Sequence, residues 1–329
     1  MAKLSAEQLL AAMEKAIVDA GASPEAAQSL ARQTLEAEAM GQSNNGVAHL
    51  FDYLRALRAG RIAGRAIPVI TRPLPAIIHC DAAGGLPQLG FDIAFEVLAA
   101  AARELGLAAF TSTNGYTCGP LGTFAMRLAE EGFVALATTN GPALLAGSGS
   151  RKPVYCTNPL AFAAPQADGP PLLIDQSSSL TAFADIRQAA ARGEPIPPDW
   201  AIDASGNATT DPKAAMQGAM LAFGGARGAN MALMVEVLAA GLSGANWSLD
   251  APSYLQGSQS PGTGLFVLAI NPQATDPDFA SRMAAQLSRL ADDFGVHIPG
   301  MAKAAARGRA MAEGFDIDAR LLERLQNSQ

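Results

Sequence analysis

Apolar positions in the first part of the chain recur at helical spacing, and polar caps mark where the helices begin. Residues 5–39 predict two helices, with Ser5 and Ser23 as N-caps and Gly21 as a stop between them. Residues 46–59 predict a third, its apolar face made by Val47, Leu50, Phe51, Leu54 and Leu57, with Gly60 as its end. Short strands are expected at Val69-Ile70 and Ala76-Ile77-Ile78, around Pro73 and Pro75. A helix over 91–105 closes at Gly106 and leads into a buried strand, Leu107-Ala108-Ala109-Phe110.

The middle of the chain alternates. A helix over 122–131 precedes a strand over 133–139, and strands follow at 160–163 and 172–175. Residues 181–192 predict a helix, then a Pro-rich loop runs to Asp211. The 216–223 segment reads as helix, 228–240 as an apolar Met-rich helix, 264–270 as a central strand, and 279–294 and 301–313 as surface helices. Strands joined both directly and through helices predict an α/β fold with a mixed sheet.

Composition narrows the class. At 329 residues and 49% hydrophobic, the chain has enough apolar material for a large core. A formal charge of -7 disfavours nucleic acid as a partner, so any anionic ligand needs local donors. Cys80, Cys118 and Cys156 lack metal-type spacing, which predicts reduced thiols and no metal site. The start of the chain has no apolar leader, and the stretch over 91–102 is interrupted by Asp92 and Glu96. A soluble cytoplasmic protein without membrane contact is expected.

No glycine fingerprint of the Rossmann type stands between a predicted strand and a helix. Gly147-Ser148-Gly149 leads into Arg151-Lys152-Pro153, and Gly224-Gly225-Ala226-Arg227-Gly228 follows a segment that reads as helix. Polar loops recur instead at predicted strand ends: Ser43 to Val47, Thr113 to Gly119, Cys156 to Pro159, and Asp175 to Ser179. Backbone N–H groups in such loops can cradle a diphosphate without a Rossmann turn.

Several longer strings carry a family likeness. Thr157-Asn158-Pro159-Leu160-Ala161-Phe162-Ala163, Leu173-Ile174-Asp175 and Pro197-Pro198-Asp199-Trp200-Ala201-Ile202-Asp203 are among them. So are Gly206-Asn207-Ala208-Thr209-Thr210-Asp211-Pro212 and the run from Gly228 to Leu238. Over essentially its whole length the chain resembles the malate/L-lactate dehydrogenase family, which includes ureidoglycolate, sulfolactate and diketogulonate dehydrogenases and Δ1-piperideine-2-carboxylate reductase.

The resemblance implies a non-Rossmann, three-layer α/β/α fold with a mixed sheet and a helical lobe formed by both termini. The expected division is 1–110 as an N-terminal, substrate-side lobe, 111–270 as the NAD(P)-binding domain, and 271–329 as helices returning to the first lobe. It also implies a homodimer that transfers hydride between NAD(H) or NADP(H) and C2 of a small carboxylate. Cofactor contacts are then expected from Thr117, Gly119, Leu121, Thr139, Asn140, Gly141, Thr157, Asn158 and Pro159. Asp175, Ser177, Ser178 and Ser179 join them, with Arg187 and Arg307 or Arg309 as partners for a 2′-phosphate. Asn44, Thr157, Asp175 and Arg227 are expected to line the substrate, and Lys152 is a further cationic candidate.

Two departures from the family pattern concern the chemistry. Relatives usually carry Ser-His-Gly-Val with an Arg four residues after the His. Here Asn44-Asn45-Gly46-Val47 and His49 stand at those positions. If a helix begins near Asn45, then Asn45 and His49 share a face, and His49 serves as proton donor or holds the carboxylate. Where relatives have a His-rich loop, Tyr116 is the second candidate donor. Loss of the usual acid costs a reductase of a protonated cyclic imine less than a ketone reductase, because the imine brings its own proton. The expected activity is that of a 2-oxo/2-hydroxy acid dehydrogenase, with an NADPH-dependent cyclic imino acid reductase as the alternative. A third reading, a cofactor binder without catalysis, is opposed by the intact Thr157-Asn158-Pro159 and Asp175.

Overall fold

A computed structural model describes residues 2–254 and 256–327. Among these residues a seven-stranded mixed sheet forms the centre. Its spatial order is Val69–Leu74, Ile77–Asp81, Leu107–Gly115, Thr263–Ile270, Val134–Thr139, Leu160–Ala164, Leu172–Gln176. Only Ile77–Asp81 and Leu107–Gly115 run parallel; the other neighbours are antiparallel. The expected α/β class with a mixed sheet is what the chain adopts. The strand containing Pro73 lies at the sheet edge, where a missing N–H costs no ladder bond, and its register shifts between Thr71 and Leu74.

Helices Pro87–Leu105 and Gly122–Glu130 cover one face, meeting through Phe91 and Phe124 with ring centroids 4.9 Å apart. Leu265, Val267 and Ala269 enter that core on alternate positions of their strand. Against the other face lies helix Ala226–Glu236 with its π-helical continuation Val237–Gly241. Gly264 makes this approach possible, since a Cβ there would overlap the Ala239 carbonyl oxygen. A separate core joins helices Ala6–Asp19, Pro24–Ala39 and Val47–Arg58 to Phe315, Ile317 and Leu325 near the other end of the chain.

Ser5 and Ser23 cap their helices as predicted, and Gly106 closes Pro87–Leu105 in the left-handed conformation at φ 84. The 216–223 segment is not the helix its composition predicts. It follows the short helix Pro212–Ala215 and contains strand Ala219–Met220, part of a second, four-stranded sheet with Ala201–Ile202, Leu145–Ala146 and Pro153–Tyr155. The reason is steric: a Cβ at Gly218 would overlap the Ile202 backbone, so glycine admits a strand pairing here. The helix containing Arg227 therefore follows a strand and a glycine turn after all. Among the described residues no helix is long and apolar enough to cross a membrane.

Gly264→Ala should destabilise the fold by about 1–3 kcal/mol or more, because the clash is with backbone that has nowhere to move. Urea unfolding of the variant beside the parent measures this, and an unchanged midpoint would contradict the packing described.

Candidate active site

The segment carrying Asn45 and His49 is shaped by a carboxylate. Glu38 Oε2 accepts the Val47 N–H at 2.8 Å and so caps helix Val47–Arg58, where a negative charge is favoured. A Cβ at Gly46 would overlap the Glu38 carboxylate, so a larger residue there would push that carboxylate from its place on the helix start. With the helix beginning at Val47, Asn45 lies outside it, exposed in the 3-10 turn Ser43–Asn45. Asn45 therefore does not share a helix face with His49, contrary to the expectation from their spacing.

His49 is partly exposed, with Nδ1 3.1 Å from Asp52 Oδ2 and its ring edge-on to Tyr53 at 5.3 Å. Burial pushes the Asp52 carboxyl up. The hydrogen bond and charge of His49, with the charges of Arg55 and Arg187, outweigh this and hold it below its ordinary 3.8. The positive charge of Arg187 is thus felt at Asp52. Asn44 reaches the same helix, Phe183–Arg192: its Oδ1 accepts from Gln188 Nε2 at 3.0 Å, and its Nδ2 donates to Asp185 Oδ1 at 3.5 Å.

Tyr116 forms a wall rather than an acid. Its ring is 3% exposed between Tyr53 and Tyr254, and its hydroxyl donates to the Tyr254 carbonyl at 3.3 Å. Burial raises its pKa, moving it further from proton transfer at neutral pH. Beside it, Gln88 Nε2 donates to the Thr117 carbonyl at 3.1 Å, while Gly119, at φ 67, comes up against Gln33 Oε1. Leu121 and Cys118 are buried, and desolvation pushes the Cys118 thiol up to about 12 and raises Cys156. Neither is a thiolate nucleophile.

Asp175 ends strand Leu172–Gln176 and points toward the start of helix Gly122–Glu130. A Cβ on Gly122 would lie 2.7 Å from its Oδ2. The same oxygen is 3.5 Å from Gln42 Nε2 and 3.8 Å from Lys303 Nζ. Residues 42–49, 116–122, 175 and 185–188 thus converge.

Most of the other predicted cofactor residues use their side chains to hold the loops together. Thr139 Oγ1 donates to the Gly264 carbonyl at 2.7 Å. Asn140 donates to the Asn246 carbonyl at 2.9 Å and accepts from Gly264 N at 2.8 Å. Gly141 leaves room for the Tyr254 hydroxyl and Cys156 Sγ. Asn158, at φ 37, donates to the Ala232 carbonyl at 2.8 Å and to Glu236 Oε2 at 2.7 Å. Its Oδ1 is buried without a partner. Ser178 is buried, its N–H donating to the Thr157 carbonyl at 2.8 Å and its hydroxyl to the Asn158 carbonyl at 2.9 Å. Thr157 and Pro159 remain partly exposed, as does Ser177, whose hydroxyl lies 3.0 Å from that of Ser179.

The residues fit a dinucleotide at one place in particular. Gly224 and Gly225, at φ 56 and 62, open helix Ala226–Glu236, with open space where side chains would be. Phe223 N donates to the Ser178 carbonyl at 3.1 Å, fixing this helix start beside a pocket lined by Gln176, Ser177, Ser179, Leu180 and Phe223. The open Gly224–Gly225 turn, the partly exposed Ser177 hydroxyl and the exposed Arg227 suit a diphosphate, while the N–H groups of Gly225, Arg227, Gly228 and Ala229 are bonded to carbonyls of residues 222–225. Arg307 is committed elsewhere: its Nε and one terminal nitrogen bond Glu36 at 2.5 and 3.0 Å, and the other lies 3.9 Å from Glu130. Arg309 and Lys152 are exposed.

Sequence reasoning missed Asp52, Asp185, Gln188 and Lys303. Lys303 lies one turn before Arg307, and helical spacing from that arginine was the available signal. Among the described residues no group of three or more His, Cys, Asp or Glu could hold a metal ion.

The chain matches the sequence profile described as malate/L-lactate dehydrogenase over residues 4–326. It is 34% identical over 326 residues to the Δ1-pyrroline-2-carboxylate/Δ1-piperideine-2-carboxylate reductase of Pseudomonas syringae pv. tomato, spanning 98% of this chain and 95% of that one. It is 35% identical over 297 residues to the (2R)-3-sulfolactate dehydrogenase (NADP(+)) of Chromohalobacter salexigens, spanning 90% and 89%. The crystal structure of Δ1-piperideine-2-carboxylate reductase from Pseudomonas syringae superposes with a TM-score of 0.95 at 33% identity, covering 100% of both chains.

The Asp52 pairing has a pH signature. A carboxylate with a depressed folded pKa adds stability above its ordinary 3.8 and loses it as pH falls through the folded value. Asp52→Asn should therefore be less stable than the parent at pH ~6, and the gap should close below pH ~4. Urea titrations at both pH values test this, and a gap that persists in acid would refute the pairing.

Proposed function

This chain belongs to the malate/L-lactate dehydrogenase family, and on that premise we propose that it is an NADP(H)-dependent oxidoreductase that reduces a small cyclic imino acid at C2. NADPH, when bound, supplies the hydride. The turn and helix start at Gly224 to Arg227, with Ser177, would hold its diphosphate. The family's reductases of Δ1-pyrroline- and Δ1-piperideine-2-carboxylate support the substrate class.

The observation that carries the choice is Asn45, exposed and outside the helix, where relatives place an imidazole. A ketone gains negative charge on oxygen as hydride arrives and needs a proton there. One good donor is worth about two to four orders of magnitude in rate. A protonated imine already holds its proton on nitrogen. Asp175 and Asp52 stand to face that positive charge, while His49 and Arg187 stand to face the substrate carboxylate.

A second reading has its own support. The His49 Nδ1 contact with Asp52 orients an imidazole as a proton donor would be oriented, which favours a 2-oxo/2-hydroxy acid substrate. The name of the sulfolactate relative lies on this side.

A homodimer and a cytoplasmic location belong to the same proposal. Leu233, Met234, Val237 and Trp247 are exposed on and beside the Met-rich helix, which supports an interface there. Three free buried cysteines support a reducing compartment.

With NADPH and NADH, reduction of the two cyclic imines and pyruvate is measured beside oxidation of lactate, malate and sulfolactate. The expected result is kcat/KM for an imine at least about 100-fold above that for any ketone, with His49→Ala lowering imine turnover by a smaller factor. Dominant turnover of a 2-oxo or 2-hydroxy acid, lost on His49→Ala, would replace this reading with the second. Binding of NADPH without turnover of anything would overturn both.

A further inference from the structure

A second pocket lies behind the converging loops, between helices Pro24–Ala39, Pro87–Leu105 and Gly122–Glu130, with Arg307 at one end. Its volume is about 280 Å³, just under the roughly 300 Å³ at which pockets for drug-sized molecules begin. That excludes a dinucleotide and leaves room for a molecule of amino-acid size.

Its charges are sorted. At one end Asp92 accepts from Ser29 Oγ at 2.6 Å, from Arg32 at 2.9 Å and from Arg127. Two guanidiniums around one carboxylate leave one surplus positive charge. At the other end Arg307 is shared by Glu36 and Glu130, leaving one surplus negative charge. Arg32 and Glu36 are four residues apart on one helix and so share a face of it. Opposite surplus charges at the two ends of one pocket suit a molecule that itself carries both signs. Met40, Phe124 and Met126 give an apolar wall.

The pocket floor is polar and incomplete. Gln33 Nε2 donates to Thr123 Oγ1 at 2.9 Å, and Gln88 Nε2 donates to Gln33 Oε1 at 3.0 Å. Gln88 is 3% exposed, and its Oε1 has no hydrogen-bond partner. Buried acceptors are rarely left so. The same Gln88 amide donates to the Thr117 carbonyl, and Gln33 touches the Gly119 position, so the floor is also the back of the active-site loop.

We propose that this pocket binds a small zwitterionic α-amino acid, its carboxylate toward Arg32 and Arg127 and its ammonium toward Glu36 and Glu130. Occupancy bears on the loop through Gln33 and Gln88. The reduced product of the reaction proposed above is itself such an amino acid, so feedback by product through this site rests on that reading. Binding of amino acids in general does not.

Calorimetric titration of the full chain with L-leucine and L-proline tests the site, with acetate and methylammonium as single-charge controls. L-leucine is the deciding probe, because it is not a product of cyclic imine reduction. The expected result is saturable binding of both amino acids and none of either control. Arg32→Gln and Glu36→Gln should each weaken L-leucine binding at least tenfold, and His49→Ala should leave it unchanged. Met40→Trp, which fills the pocket without touching a charge, should abolish it and guards against misfolding of the charge variants. Absence of L-leucine binding at 50 mM, equal binding of acetate, or unchanged binding in Met40→Trp would each overturn the proposal. Imine turnover without added amino acid is measured separately, so loss of the catalytic reading and loss of this site remain distinct results.

Discussion

The loops of the candidate site are organised around one buried carboxylate. Glu236 is 3% exposed and accepts from Ser248 N at 2.6 Å, Ser248 Oγ at 2.7 Å and Asn158 Nδ2 at 2.7 Å. A carboxylate removed from water is tolerable only when its lone pairs are met, and a missing donor would leave several kcal/mol uncompensated. That requirement selects one arrangement of three segments distant in sequence. It draws Asn158 into a left-handed backbone conformation just before strand Leu160–Ala164. Ser178 is then fixed by hydrogen bonds to the Thr157 and Asn158 carbonyls, and through Ser178 so is the start of helix Ala226–Glu236. Side chains that the family likeness marks for the cofactor thus act largely as struts, leaving the Gly224–Gly225 turn, the partly exposed Ser177 and the exposed Arg227 open to a ligand.

What was legible in the sequence was what local physics decides. The helices follow from apolar spacing and from caps such as Ser5, Ser23 and Gly106, and the strands of the main sheet are apolar runs bounded by turn residues. The four-stranded sheet was not legible, since its strands are two or three residues long and owe their pairing to close approaches such as Gly218 on Ile202. The site shows the same division. The loops are visible as polar punctuation, but the break between Asn45 and His49 depends on Glu38 reaching Val47 across nine positions. Arg307 looked free for a phosphate because its partner, Glu36, is 271 positions away. Lys303, on the same helix, instead faces Asp175.

The overall charge of -7 gives an anionic substrate no help at long range, so the balance inside the cleft decides what it accepts. Its cations are not idle: His49 is set against Asp52, whose carboxyl also feels the charge of Arg187, and Lys303 lies 3.8 Å from Asp175. A simple 2-oxo acid brings one negative charge. To engage His49 it must draw the imidazole away from Asp52, leaving that carboxylate less well compensated. A protonated cyclic imino acid brings a carboxylate and a cation together, so it can insert between existing pairs with each charge answered. The cost of desolvating a charge is smallest when an opposite one is already in place. The substitution of Asn45 for an imidazole and the pairing of the cleft's charges are independent observations, and both favour the C=N substrate. Within the cleft the ketone reading leans on the His49–Asp52 contact, and an imidazole held by a carboxylate serves as well to grip a substrate carboxylate as to deliver a proton.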